Sequence, residues 1–259
     1  MLSIDIYRLS SYLLWIPSMP RYKKKKIDRK PKQYDPHIPK HASKVESGFK
    51  FEFLNTAQRD AWAAFDQYDV LFLIGPAGTG KSQLACAFAI SEVLAKKKEK
   101  IVLTRPVVES GESLGFLPGS FEEKLNPYMM PMYDCMDRCI GKESPEKEII
   151  NKAIEIAPIA YCRGRTFNDA ICIFDEAQNA TTTQIKLFMT RFGKNSKMII
   201  TGDPDQSDIR NGNFMLTDVV NKMSEIGKIG VIKFKPCNIV RHPLIADILE
   251  KFSEIEKKV

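Results

Sequence analysis

The feature that most constrains this chain is a glycine-rich turn that joins an apolar run to a segment of small and apolar residues. Residues 70–74 are apolar throughout, and residues 83–90 continue with a helix-like pattern. The turn between them has the spacing GxxxxGKS and consists of Gly75, Pro76, Ala77, Gly78, Thr79, Gly80, Lys81 and Ser82. A strand, such a turn and a helix form a phosphate-binding loop, because glycines let backbone N–H groups and the helix N-terminus face phosphate oxygens.

The polar residues of this turn indicate that the ligand is a nucleoside triphosphate bound with Mg²⁺. The Lys81 ammonium group can reach the β- and γ-phosphates, and the Ser82 hydroxyl can bind Mg²⁺. The alternative is a chance glycine-rich turn, which the strand and helix on either side disfavour. We therefore predict a binding site for a nucleoside triphosphate and its metal ion.

Two adjacent carboxylates follow a second apolar run. Residues 171–174 are apolar, and Asp175 and Glu176 come directly after them. In a protein with a phosphate-binding loop, Asp175 is expected to hold Mg²⁺ directly or through a water, and Glu176 to orient and activate the attacking water. A strand that simply ends in an acidic turn is the alternative. A carboxylate next to the metal aspartate favours hydrolysis over phosphate transfer to a metabolite.

Two glutamines follow apolar runs and are expected near the phosphates. Gln178 follows residues 170–174, and Gln206 follows residues 197–201. In an open α/β sheet, ligands bind outside the carboxyl ends of the strands. Both amides can hydrogen-bond the γ-phosphate or the attacking water, and we expect both to change partner when that phosphate leaves.

Charge divides the chain into a basic arm, residues 1–50, and a folded domain, residues 51–259. The arm contains 12 Lys and Arg against 4 Asp and Glu, whereas the remainder contains 27 against 28. Residues 21–50 are rich in Lys and Pro with little apolar periodicity, which predicts a flexible segment. Two interpretations stay open: a solvated tail, and an arm that contacts nucleic-acid phosphates.

The N-terminus and the cysteines bear on where the protein works. The apolar run at residues 12–17 is too short to span a bilayer, and it precedes the basic cluster, which is the reverse of a secretory signal. We hypothesise that residues 1–18 are an extension upstream of a start at Met19, or a disordered segment. The six cysteines are scattered, so we expect reduced thiols, a cytoplasmic location and no membrane association.

Apolar runs that alternate with helical patterns predict an α/β fold with a mostly parallel central sheet covered on both faces. The predicted strands are 70–74, 101–104, 156–161, 170–174, 197–201 and 230–234. The first helix is predicted to begin at Asn55 or Thr56, and further helices to follow the glycine-rich turn up to about 96 and to lie near 120–140, 145–155, 183–191 and 243–257. The methionine-rich stretch 128–133 is predicted to pack in the core or, less favoured, to contact another subunit.

Taken in order, the motifs resemble those of the PhoH-like ATPases, whose core is similar to the first motor domain of superfamily 1 helicases. The resemblance extends from about Phe51 to the C-terminus and rests on the phosphate loop and on blocks at 104–109, 115–119, 161–169, 175–179, 201–203 and 240–243. It implies a P-loop NTPase fold of the RecA-like (ASCE) type, a three-layer sandwich, with ATP as the nucleotide. It further implies that Gln58 reads the adenine edge. Ser82, where many relatives have Thr, and the basic arm depart from the family pattern.

The same resemblance raises the question of an arginine finger. Superfamily 1 helicases close ATP between two such cores, and the second core supplies an arginine to the γ-phosphate. Because too few residues follow Gly202 for another core, we expect the arginine from late in this chain or from a neighbouring subunit. Arg241 is the first candidate, followed by Arg163 and Arg165, for which a surface salt bridge is an equal alternative. A homo-oligomeric ring follows, and the resemblance implies a hexamer.

The sequence therefore predicts an ATP hydrolase coupled to RNA or single-stranded DNA, with helicase-like or translocase activity. The alternative is a nucleotide-dependent switch or scaffold that acts on a protein partner. A metabolite kinase is a third hypothesis, which Glu176 and the two glutamines disfavour.

Overall fold

The structure, a computed structural model, describes residues 49, 51–106, 121–141, 143–204, 206 and 216–240, with the backbone alone for 121–125. Helices and strands alternate along this part of the chain. The helices are α1 (Thr56–Gln67), α2 (Lys81–Leu94), α3 (Phe121–Ile140), α4 (Glu146–Ala153), α5 (Thr182–Met189) and α6 (Leu216–Met223). The strands are β1 (Val70–Ile74), β2 (Lys100–Thr104), β3 (Ile154–Ile156), β4 (Ala170–Phe174), β5 (Lys197–Gly202) and β6 (Ile229–Lys233). Short 3₁₀ helices cover Ile159–Cys162, Ala177–Asn179 and Pro236–Asn238.

The strands form one six-stranded sheet in the order β3-β2-β4-β5-β1-β6. Every pair of neighbouring strands is parallel. The central strands β1 and β4 are buried at all positions, as expected of strands whose two faces are both covered by helices. The predicted α/β class with a parallel central sheet is confirmed.

The two faces of the sheet carry separate apolar layers because side chains alternate along each strand. Leu71 and Leu73 of β1 pack in one cluster with residues of α1, α2, α3 and α4. Val70 and Phe72 of the same strand pack in the other cluster with residues of α5 and α6. The sheet is therefore the middle layer of three, which confirms the predicted sandwich.

Most of the predicted helices and strands are present, but one predicted strand is too long and one helix was not predicted. The strand predicted at 156–161 is wrong: β3 ends at Ile156 and a 3₁₀ helix begins at Ile159. Pro158 lies between them, and a proline has no N–H to continue strand pairing. Helix α6 has no counterpart among the predicted helices, and the helix predicted at 243–257 lies outside the described residues. The core interpretation of the methionine-rich stretch is confirmed for Met129 and Met132, which are buried.

A membrane-spanning helix is not found in the described part of the chain, since no helix there is both long and apolar enough to cross a bilayer.

Asn55 joins the start of α1 to the end of the described chain. Its Oδ1 accepts a hydrogen bond from Gln58 N at 3.0 Å, which makes Asn55 the N-cap of the helix. Its Nδ2 donates to Asn238 O at 3.0 Å. Further along, Val240 N donates to Gly78 O at 2.9 Å. One side chain therefore ties α1 to the segment that ends against the glycine-rich loop.

We expect Asn55→Ala to lower the free energy of unfolding by about 1–2 kcal/mol, because it removes both the cap and the bond to Asn238. Asn55→Asp is the matched control, since an aspartate still accepts from Gln58 N and lacks only the donor. Urea denaturation of the three proteins measures the difference. Equal destabilisation in the two variants would show that the cap does not contribute.

Candidate active site

Four neighbouring strands bring polar residues to one edge of the sheet. Arg105 follows β2, Asp175 and Glu176 follow β4, Asp203 follows β5, and the glycine-rich loop follows β1. Because the strands are parallel and adjacent in the order β2-β4-β5-β1, these residues lie side by side at the carboxyl edge. This edge is where the sequence predicts the phosphates.

The loop has the geometry expected of a phosphate cradle. Gly80 has a φ of 82°, in the left-handed region, and α2 begins at the next residue without a side-chain cap. The first turn of α2 therefore presents backbone N–H groups and the positive end of the helix dipole to the site. Lys81 is buried, and its Nζ donates to Gly75 O at 2.5 Å and to Pro76 O at 2.8 Å.

Gln58 holds this loop from α1. Its Nε2 donates to Thr79 O at 3.0 Å, and its Oε1 accepts from Leu54 N at 2.8 Å. The φ of 82° at Gly80 favours glycine, and a Cβ there would lie 2.6 Å from Gln58 Nε2, so a side chain at this position would have to displace the Gln58 amide. The Gln58 side chain is 1% exposed, and both ends of its amide are bonded to backbone. The structure thus places Gln58 against the loop, while its role in reading adenine stays a prediction.

The predicted metal residues, Ser82 and Asp175, contact each other. Ser82 Oγ donates to Asp175 Oδ1 at 2.7 Å, and Thr201 Oγ1 donates to the same oxygen at 2.5 Å. The Asp175 carboxylate is almost completely buried. Mg²⁺ prefers a site with one or two carboxylate or hydroxyl oxygens, with waters and phosphates completing the shell. The Ser82 and Asp175 oxygens fit that requirement.

Glu176 lies next to Asp175 and has a left-handed backbone, with φ 57° and ψ 45°. This conformation is uncommon for a residue with a side chain, and here it begins the turn that follows β4. Gln178 Nε2 donates to Glu176 Oε2 at 2.5 Å. Arg105 Nη2 lies 3.6 Å from Glu176 Oε1, and Arg105 Nη1 lies 3.9 Å from Asp175 Oδ2. Gln178 and Arg105 thus contact different oxygens of the Glu176 carboxylate.

Asp203 connects this group to the loop. Its Oδ2 accepts from Ala77 N at 3.0 Å, and its own N–H donates to Gln178 Oε1 at 3.0 Å. A continuous set of hydrogen bonds therefore runs from the Ala77 amide through Asp203 and Gln178 to Glu176.

Two adjoining cavities open over these residues. The larger, of about 360 Å³, has among its lining residues Lys81, Ser82, Arg138, Glu176, Thr201 and Gln206. The smaller, of about 250 Å³, is lined by Ser82, Asp175, Glu176, Arg105, Asp134 and Arg138, among others. The larger cavity has a volume typical of small-molecule binding sites. Four residues predicted from the sequence line it together: Lys81, Ser82, Glu176 and Gln206.

Helix α3 adds a thiol and a guanidinium group to both cavities. Arg138 Nη2 donates to Cys135 Sγ at 3.1 Å. The pKa of the Cys135 thiol is lowered, chiefly by a hydrogen bond from Cys86 and further by the Arg138 charge, although burial opposes the shift. Burial raises the pKa of Cys139, one turn later, to about 12. Cys135 and Cys139 lie one turn apart in the same helix.

The sequence patterns assign no individual role to Arg105, Asp203 or Arg138, although the first two lie in the motif blocks 104–109 and 201–203. Arg105 and Asp203 each directly follow a strand. They are therefore expected at the carboxyl edge of the sheet for the same reason as Asp175, which directly follows β4. Arg138 carries no such signal, because it reaches the site from a helix inserted between β2 and β3.

Of the three arginines predicted as fingers, Arg165 does not lie at this edge. Arg165 pairs with Glu155, and its guanidinium lies 5.0 Å from the Phe167 ring centre. Lys100, the first residue of β2, lies over the same ring, so Arg165 is at the opposite edge of the sheet. Arg163 is exposed nearby. Arg241 lies outside the described residues.

Comparison with known sequences agrees with these features. A family model described as PhoH-like protein matches residues 50–253. A PhoH-like protein of Bacillus subtilis (strain 168) is 43% identical over 233 residues, which cover 90% of this chain and 72% of that protein. Protein PhoH of Escherichia coli (strain K12) is 38% identical over 203 residues, which cover 77% of this chain and 57% of that protein. The chain thus spans a little over half of the Escherichia coli protein.

Among solved structures, the large terminase from a thermophilic bacteriophage matches with a TM-score of 0.50 at 11% sequence identity. The match covers 77% of this chain and 50% of the terminase chain. At this identity the match shows a shared fold, and it agrees with the predicted P-loop NTPase class.

We expect Gln58→Ala to weaken Mg²⁺·ATP and Mg²⁺·GTP by the same factor, because Gln58 is buried and both ends of its amide hold backbone near the loop. Removal of these bonds leaves Thr79 O and Leu54 N unpaired, at a cost of about 1–3 kcal/mol in stability. Calorimetric titration with both nucleotides, alongside thermal unfolding, measures these effects. A selective decrease in ATP affinity would instead show that Gln58 reads the adenine edge.

Proposed function

Because the chain belongs to the PhoH-like protein family, we propose that it hydrolyses ATP with Mg²⁺ and couples hydrolysis to RNA or single-stranded DNA as a homo-oligomeric ring. Family membership and the P-loop fold support an ATPase-type enzyme. The single observation that carries the proposed chemistry is the 2.7 Å contact between Ser82 Oγ and Asp175 Oδ1. It brings the loop hydroxyl to the carboxylate next to Glu176.

In this proposal the loop binds the triphosphate. The backbone N–H groups of residues 75–82 and the start of α2 surround the phosphates, and Lys81 supplies a positive charge to the β- and γ-phosphates. Ser82 and Asp175 hold Mg²⁺, which when bound neutralises charge on the phosphate oxygens. Lys81 exchanges its bonds to Gly75 O and Pro76 O for phosphate oxygens.

Glu176 then acts as the general base for the attacking water. Gln178 and Arg105 keep its carboxylate at the mouth of the cavity, at the distances given above. Arg105 also offsets part of the repulsion between the Asp175 and Glu176 charges. Gln206 lines the same cavity, and we propose that it and Gln178 respond to the γ-phosphate.

Coupling to nucleic acid is supported by two features of the sequence: the resemblance to a helicase motor core, and the basic arm at residues 21–32. The arm's lysines and arginines would neutralise backbone phosphates, which does not depend on base sequence. The proposed location is cytoplasmic. A nucleotide-dependent switch acting on a protein partner is the other candidate, because the hydrogen bonds from Ala77 to Glu176 join the loop to the hydrolytic residue.

Glu176→Gln should leave Mg²⁺·ATP binding intact and lower turnover by about 10²–10⁴-fold, because an amide cannot accept the proton from water. Lys81→Ala should instead abolish tight binding, since the phosphates no longer have their cationic partner. Calorimetry measures binding, and phosphate release measures turnover. Wild-type turnover in Glu176→Gln would refute the role of this residue, and failure of the wild-type protein to bind ATP would refute the whole proposal.

Single-stranded RNA or DNA should stimulate ATP hydrolysis. The polymer should bind more weakly as salt is added, so that log Kd rises linearly with the logarithm of the salt concentration. The slope should become shallower when Lys23, Lys24, Lys25 and Lys26 are replaced together by Gln, by up to about 0.7 for each phosphate that the arm ceases to neutralise. Polynucleotide titrations at several salt concentrations measure both effects. Slow turnover unchanged by either polymer would favour the switch.

A further inference from the structure

We propose that Arg138 contacts the terminal phosphate of ATP bound in the same protomer, so that the site carries an arginine of its own. This inference rests on the proposed function, because it names a further residue of the same site. It differs from the expectation that the arginine comes from late in the chain or from a neighbouring subunit.

Helix α3 is held against the helix that follows the loop. Cys86 Sγ on α2 lies 3.9 Å from Met132 O, and Cys139 Sγ lies 3.7 Å from Gln83 O. Met129, Met132 and residues of α2 share one buried apolar cluster. Arg138 therefore projects from a packed helix, which limits the entropy cost when its side chain binds a ligand.

The position of Arg138 indicates which part of the nucleotide it meets. It lines the larger cavity with Lys81 and the smaller cavity with Asp175, and both cavities also share Ser82 and Glu176. Ser82 and Asp175 would hold Mg²⁺ beside the terminal phosphates, and the general base must face the γ-phosphate. A guanidinium group that shares cavity walls with the metal residues and the base is therefore at the γ-phosphate end.

The charge of Arg138 lacks a carboxylate partner among the residues that the structure describes. Its Nη2 donates to Cys135 Sγ, although Asp134, Asp175 and Glu176 line the same smaller cavity. By contrast, the nearby Asp137 pairs with Lys147 at 2.8 Å. An arginine that faces a phosphate cavity with N–H donors to spare is suited to bind phosphate in a bidentate way.

The consequence is that one protomer holds three cations around the reacting phosphate edge: Lys81, Arg105 and Arg138. Arg105 is engaged by the two catalytic carboxylates, and Lys81 belongs to the loop. Arg138 is then the cation available to the terminal phosphate oxygens as negative charge develops on them.

The first experiment compares ATP with ADP. Arg138→Ala should weaken a non-hydrolysable ATP analogue by about 10–100-fold, because one charge-assisted hydrogen-bonding group is removed, and should change ADP affinity little. Arg138→Lys, which keeps the charge without the fork of donors, should fall between. Lys152→Ala is the control, since it removes an exposed positive charge on α4 that pairs with Glu148 and lines neither cavity. An equal decrease in ATP and ADP affinity, or no decrease, would overturn the proposal.

The second experiment asks whether Arg138 acts in its own protomer. Subunits carrying Arg138→Ala are mixed with subunits carrying Glu176→Gln, and phosphate release is measured across mixing ratios. Activity should stay at the weighted mean of the two separate variants, because no single protomer contains both groups. Restoration above that mean would show that Arg138 serves a neighbouring site and would overturn the proposal.

The outcomes separate this inference from the function on which it rests. A wild-type protein that binds and hydrolyses ATP, with an Arg138→Ala variant that matches it, refutes the role of Arg138 alone. A wild-type protein that binds no ATP refutes both. Thermal unfolding of each variant shows whether a decrease in affinity reflects loss of the fold.

Discussion

The buried carboxylate of Asp175 is the group on which the rest of the site depends. A charged group so far from water is tolerated only when hydrogen bonds replace its hydration. Ser82 and Thr201 supply those bonds, one from the start of α2 and one from β5. The carboxylate therefore ties the loop after β1 to two further strands, and the all-parallel order of the sheet makes this possible. Any change that shifted β4 along β5 by one residue would separate these groups and leave a buried charge unpaired.

Glu176 shows how the backbone after β4 positions a carboxylate at the cavity. A residue with a side chain that adopts a left-handed backbone is held there by its surroundings, at a cost of about 1–3 kcal/mol. The 3₁₀ turn that follows places Gln178 beneath Gly202, where a Cβ would lie 3.2 Å from Gln178 Oε1. The Gln178 amide can then bond Asp203 and Glu176 at once. The hydrogen bond from Gln178, which packs where Gly202 has no side chain, holds the Glu176 carboxylate at the cavity.

Most strands, the loop and the contact between Ser82 and Asp175 could be anticipated because each has a local signature: an apolar run and then a polar residue of defined type. Because the strands are parallel, their carboxyl ends all lie at one edge of the sheet. Residues that follow different apolar runs in the sequence are therefore close together in space. Arg138 could not be predicted this way, because it belongs to a helix whose packing on α2 depends on contacts far apart in sequence. The strand predicted at 156–161 is wrong for a local reason, since Pro158 interrupts the run. The Gln58 contacts to Leu54 and Thr79 likewise depend on how α1 meets the loop, which the sequence pattern does not show.

The placement of β5 between β1 and β4 has a further physical consequence. Asp203, which follows β5, lies between the loop and the Glu176 carboxylate in a chain of hydrogen bonds. The Ala77 amide donates to Asp203, whose own amide donates to Gln178, which in turn donates to Glu176. An anion that binds the Ala77 N–H competes directly with the Asp203 carboxylate for the same donor. Because Asp203 and Gln178 are buried, neither can replace a displaced partner with bulk water at no cost. Phosphate at the loop and the position of Glu176 are thereby linked through groups that must all remain hydrogen-bonded.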